Sequence, residues 1–168
     1  MDAYRLSNQW LPPELYRVDY HGSRTIYSQT EGFLAAHRTK VYGSLDINVF
    51  RRDLEKYFTW SSQVPTPFIS LFSDWDHAEN WGLEQPWASH VIHHRSGHWT
   101  LRVIDTRRLV EPYIFRSEDL VNSLELKLPD EAKQHTEDTF LCLYAIPVAA
   151  VVEHWDPQEV KNGIAKET

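Results

Sequence analysis

The strand-like stretches of this chain are short and unevenly spaced, and that irregularity restricts its fold more than any other feature. Residues 15–19, 68–72, 99–104 and 139–146 are β-rich or alternate between apolar and polar side chains. Helical spacing separates them without a steady rhythm. It runs over residues 45–58 through Ile47, Phe50, Leu54, Tyr57 and Phe58, with Ser44 as a candidate cap. It returns after Phe72 with Trp75, Ala78 and Trp81, capped by Ser73 or Asp74, and again after a Ser117 cap through Leu120, Val121, Leu124 and Leu128. A doubly wound parallel sheet needs a regular alternation of strand and helix. Its absence predicts a single α+β domain with mixed or antiparallel sheets.

The chain is long enough to build that domain around its own core, with 168 residues of which 42% are hydrophobic and 24% charged. No repeat and no Gly/Ser linker interrupts it. The expected division is an N-terminal extension over residues 1–14, a domain over 15–156 and a C-terminal tail over 157–168. One cysteine, Cys142, excludes an internal disulfide and fits a reducing compartment. The first fifteen residues lack the unbroken apolar stretch of a signal peptide, and the longest apolar run, 140–152, is short and holds Pro147. An intracellular protein, cytoplasmic or nuclear and without a membrane span, is the expectation. The net charge of −7 comes without a Lys/Arg stripe, which argues against duplex nucleic acid as a partner.

Three distant segments place polar groups on or beside strands: Arg17, the pair Ser70 and Ser73, and Glu137-Asp138. Along the first strand Tyr16 and Val18 share one face, and Leu15, Arg17 and Asp19 the other, so Arg17 is expected opposite the more apolar face. The order of segments is Leu15-Tyr-Arg-Val-Asp19, then Gly32-Phe33, then Phe68-Ile-Ser-Leu-Phe-Ser-Asp-Trp-Asp-His-Ala78 with Trp81, then Ile146-Pro147. This order resembles ADP-ribosyltransferases of the heat-labile enterotoxin and pierisin type. It is most similar to a filamentous-fungal domain family of unknown function built on that pattern.

The resemblance implies a cleft between two sheets that binds NAD as a substrate. It implies Arg17 as the anchor of phosphate and ribose, and Ser70 as the opening residue of the nicotinamide pocket, with Ser73 substituting for a missing hydroxyl. Gly32 and Phe33 join the dinucleotide-binding set. Glu137, or Asp138 re-aimed by a β-bulge, becomes the catalytic acid. Cleaving the bond between ribose and nicotinamide develops positive charge on the sugar, and a carboxylate held beside it stabilises the transition state more than the ground state. The ADP-ribose then passes to an unidentified protein or other acceptor, or to water in an NAD glycohydrolase.

The chain departs from the pattern where chemistry is concentrated. Leu71 and Phe72 replace two hydroxyl residues of a Ser-Thr-Ser strand, and Thr139 falls where the catalytic acid would stand. On a regular strand Glu137 and Thr139 point the same way and Asp138 the other. The alternative function is therefore a catalytically inactive module of this fold that binds a protein partner. Plainer roles also exist for the same residues. Ser73 and Asp74 suit helix N-caps, Ser70 a backbone partner, and Glu137-Asp138 a solvated charged loop.

Other chemistry-bearing residues point to structure. His90, His93, His94 and His98 have no cysteine or well-placed carboxylate to complete a tetrahedral set, so they are expected as exposed loop histidines and no metal is implied. Cys142 lies in an apolar run, which suits an inert core thiol. Trp75 and Trp81 suit core packing, or a face on which a ligand ring could stack.

Overall fold

Alternation along the strands sorts the side chains into three cores. The structure, a computed structural model, describes residues 1–90 and 97–163. Its larger sheet has the order β6 (Ile114–Arg116), β7 (Thr139–Leu143), β4 (Phe68–Phe72), β1 (Glu14–Tyr20), β5 (Trp99–Asp105) and β9 (Val151–Trp155), and every neighbouring pair is antiparallel. A smaller antiparallel sheet joins β2 (Ile26–Ser28), β3 (Gly32–Leu34) and β8 (Ala145–Pro147). The α+β expectation holds, and the sheets are antiparallel.

Phe68 and Leu141 face a core shared with Phe50 and Leu54 of helix α1 (Ile47–Phe58) and Leu120 of α3 (Ser117–Leu124). Ile69, Leu71 and Cys142 face the opposite way, toward Phe33 and Ile146 of the small sheet. A third core holds Val18, Trp99 and Leu101 under α2 (Trp75–Glu84) and α5 (Pro157–Lys161). Gly82 of α2 admits the Trp99 ring, since a Cβ there would stand 2.6 Å from it. α4 (Asp130–Lys133) precedes the turn that leads into β7.

Several local expectations change. The strand read over 139–146 is two strands, because Tyr144 takes a left-handed φ of 66° and turns the chain from the large sheet into the small one. Its amide donates to the Pro67 carbonyl and its carbonyl accepts from Ala35, each at 2.8 Å, so packing on two neighbours holds the turn. Asp46, not Ser44, stands at the N-cap of α1, and its carboxylate accepts from the Gly43 amide. Ser117 is the first residue of α3 instead of its cap, and the helix stops at Leu124, before Leu128. Asp74 does cap α2, accepting from the His77 amide at 2.7 Å. No open polar face exists on β1, where Leu15, Arg17 and Val18 are all buried between β4 and β5.

The described parts of both flanking segments lie against the domain. The Leu6 amide donates to the Ile114 carbonyl, and α5 buries Val160 behind a capping box at Asp156. Among the described residues no helix is long and apolar enough to cross a membrane.

Asp53 fixes the segment ahead of α1. It is 4% exposed, accepts from the Tyr42 hydroxyl at 2.6 Å and pairs with Lys40 at 2.6 Å. Asp53→Ala is expected to cost about 2–4 kcal/mol, because it leaves a buried hydroxyl and a cation without their acceptor. Denaturant titration checks this, and a loss below about 0.5 kcal/mol would contradict it.

Candidate functional site

A gap between β1 and β4 creates the site. The two strands share one register pair, Tyr16↔Phe72, and beyond it they separate. The Arg17 guanidinium fills the place of the missing ladder bonds. Its Nη1 donates to the Ser70 carbonyl at 2.9 Å and the Ser70 hydroxyl at 2.8 Å, and its Nη2 to the Ser23 hydroxyl at 3.1 Å. The residue is only 7% exposed, no carboxylate pairs with it among the described residues, and its Nε has no acceptor. A buried cation without a counter-charge is costly, so the arrangement suits an anion that arrives from outside.

The walls come from four other parts of the chain. Tyr57 of α1 accepts from the Ser70 amide at 2.9 Å, and its ring lies under the Arg24 guanidinium at 5.2 Å. Arg24 also donates to the Tyr57 carbonyl at 3.0 Å, which ties the 21–25 turn to the helix. Tyr20 stacks on Trp87 at 4.2 Å, and burial raises its phenol, opposed by the charge of Arg17. Trp60, Phe72 and Trp81 form the apolar side, and His135 and Thr139 the far end. The enclosed volume is about 80 Å³, and with the open mouth, solvent included, about 710 Å³.

Of the residues the sequence singled out, Arg17 and Ser70 meet in this cleft, and Trp81 lines it. Thr139 is buried within it, and its hydroxyl donates to the His135 carbonyl. Glu137 is exposed in the turn before β7 and does not line the cleft. Asp138 is half-buried beside it, with Oδ2 3.9 Å from His77 Nδ1. The bulge that would re-aim either acid is absent, since the β4–β7 register runs unshifted from Phe68↔Leu143 to Phe72↔Thr139. No carboxylate lines the cleft among the described residues.

Ser73 also lies elsewhere. Its amide and hydroxyl both donate to the Asp138 carbonyl, at 2.8 and 3.3 Å, so it fastens the end of β4 to the turn. Gly32 and Phe33 are structural elements of the small sheet, with Phe33 wholly buried between the sheets. Trp75 packs edge-on against Tyr16 at 5.4 Å. Cys142 is 2% exposed, and burial pushes its thiol up to about 12, which makes it a core group. His98 is exposed, while His93 and His94 fall outside the described residues. Among the described residues no group of three potential ligands could hold a metal. Sequence reasoning missed Ser23, Arg24, Tyr57 and His135, which carry no motif and join the site only through long-range packing.

The comparisons agree with this architecture. A solved structure, EcPltA, matches with a TM-score of 0.54 and 14% identity, over 89% of this chain and 80% of that one. The likeness to EcPltA shows a shared fold. A family model described as "Domain of unknown function (DUF7587)" matches residues 10–160, and the chain belongs to that family. No curated protein matches the sequence.

Proposed function

We propose that this protein is a binding module of ADP-ribosyltransferase-like fold, whose cleft holds a dinucleotide of the NAD type without cleaving it. The observation behind this reading is the buried Arg17, unpaired by any carboxylate among the described residues, in a cleft lined by Thr139, the residue that the resemblance puts where a catalytic acid would stand. The donor set suits the anionic part of such a ligand, because a guanidinium offers a planar fork to phosphate oxygens. Tyr57, Trp60 and Trp81 suit a ring. The enclosed space is smaller than the ~150 Å³ in which an engineered apolar cavity takes benzene, so a dinucleotide would insert one group and leave the rest in the mouth.

Binding does not bring chemistry with it here. Cleavage of the ribose–nicotinamide bond requires a negative charge that is more effective in the transition state than in the ground state. Thr139 cannot supply it, and Asp138 is directed at His77. The reading departs from transferase and glycohydrolase chemistry for that reason.

The experiment is thermal unfolding with excess NAD, together with a nicotinamide-release assay. NAD at 100 times its dissociation constant should stabilise the fold by about 2.7 kcal/mol, with nicotinamide release at the uncatalysed background. Catalytic release would establish an active enzyme and overturn the proposal. No stabilisation at any NAD concentration would instead leave the fold as a module for a protein partner.

A further inference from the structure

Two histidines to which the sequence assigned no role form a connected pair beside the cleft. His77 comes from α2 and His135 from the turn after α4. Nε2 of His77 lies 2.8 Å from Nδ1 of His135, and the rings stack with centroids 5.1 Å apart. Asp138 Oδ2 stands 3.9 Å from the other His77 nitrogen, Nδ1. A carboxylate, an imidazole and a second imidazole thus run in series into the cleft, where His135 is part of the wall.

One hydrogen fills the bond between the rings. A proton on both inner nitrogens would set two N–H groups head to head, so the connected pair takes up one extra proton at most. His135 Nε2 is the ring nitrogen that His77 leaves free for the cleft. We propose that the His77–His135 pair is an anion-binding device coupled to a proton, so that a dinucleotide enters the cleft together with a proton and binds more tightly as the pH falls. This rests on the reading of the cleft as a dinucleotide site.

The surroundings support the coupling. Trp60, Phe72 and Trp81 pack on the two rings. Glu84 reaches His135 from α2, and Asp138 approaches His77 from the turn before β7. The other titratable groups of the cleft are Arg17 and Tyr20 of β1, Arg24, and Tyr57 of α1. Lys133 of α4 is engaged by Asp130. Burial, and then the neighbouring His77, hold His135 below the ordinary imidazole range, with Glu84 acting the other way. Burial thus favours the uncharged imidazole of His135 in the free fold. Acidification charges it at a cost to the free fold, and an anion in the cleft removes that cost. Reciprocity then requires the proton to strengthen anion binding.

NAD is the suitable probe, because both phosphates of its diphosphate stay ionised across the range tested and any pH dependence belongs to the protein. Calorimetric titration is expected to give a dissociation constant about three- to tenfold lower near pH 5.5 than near pH 8, with net proton uptake. His135→Gln and His77→Gln should each flatten that profile, read as the ratio of the dissociation constants at the two pH values. His154→Gln, exposed on β9, should retain it. A flat profile in the wild type, or a slope that survives in both cleft variants, would overturn the proposal and leave the dinucleotide site standing. Absence of NAD binding at both pH values would overturn the site and the proposal together.

Discussion

Gly32→Val is expected to leave the chain without a stable fold, although the substitution lies outside the cleft. Gly32 holds a φ of 88° in β3, and a Cβ there would sit 2.2 Å from the Ile146 carbonyl oxygen, 2.5 Å from the Val148 nitrogen and 2.8 Å from the Pro147 carbonyl carbon. All three are backbone atoms, so no rotamer change can relieve the contact. The left-handed conformation costs an L-residue about 1–2 kcal/mol, more for a β-branched one. Separating β3 from β8 would also expose Phe33 and Ile146, both wholly buried, at about 1.5–3 kcal/mol each. The sum exceeds about 4 kcal/mol, a large part of the 5–15 kcal/mol that holds a typical domain together. Chemical denaturation, or a loss of soluble folded protein, measures it. A midpoint equivalent to within about 1 kcal/mol of the wild type would contradict the structure of this sheet pair.

Arg17→Lys is expected to weaken NAD binding at least about 100-fold despite preserving the charge. The guanidinium makes three hydrogen bonds in fixed directions, to Ser70 twice and Ser23 once, and it bridges strands that share no ladder there. An ammonium is a point charge without the planar fork, and it cannot hold both strands and present donors to a ligand. At an NAD concentration 100 times the wild-type dissociation constant, the stabilisation should fall from about 2.7 to about 0.4 kcal/mol. An unchanged NAD-dependent shift in the folded variant would show that the ligand does not use Arg17.

The strands near Arg17, Ser70 and Trp99 and the helices around Phe50, Ala78 and Leu120 were legible in the chain, because local periodicity reflects which face of an element is covered. Arg17 and Ser70 were legible as site residues through the order of short motifs. Their contact was not, since it depends on two strands parting after Tyr16↔Phe72. Glu137 and Asp138 stood at a motif position, but a turn, whose direction no alternation records, left one exposed and aimed the other at His77. His135 stood in a charged stretch that reads as loop, and only the packing of the turn after α4 against α2 makes it part of the cleft wall.

By itself, then, the sequence determined the α+β class, most strand and helix positions, and the presence of Thr139, Leu71 and Phe72 where the resemblance implies an acid and two hydroxyls. These depend on side-chain identity and on neighbours a few residues away. Tertiary structure alone decided that Tyr144 would divide one predicted strand between two sheets, and that Arg17 would lie buried without a carboxylate partner among the described residues. It also decided that two histidines 58 positions apart would share a hydrogen bond. Such outcomes are set by which distant surfaces exclude water together, and no local pattern carries that information.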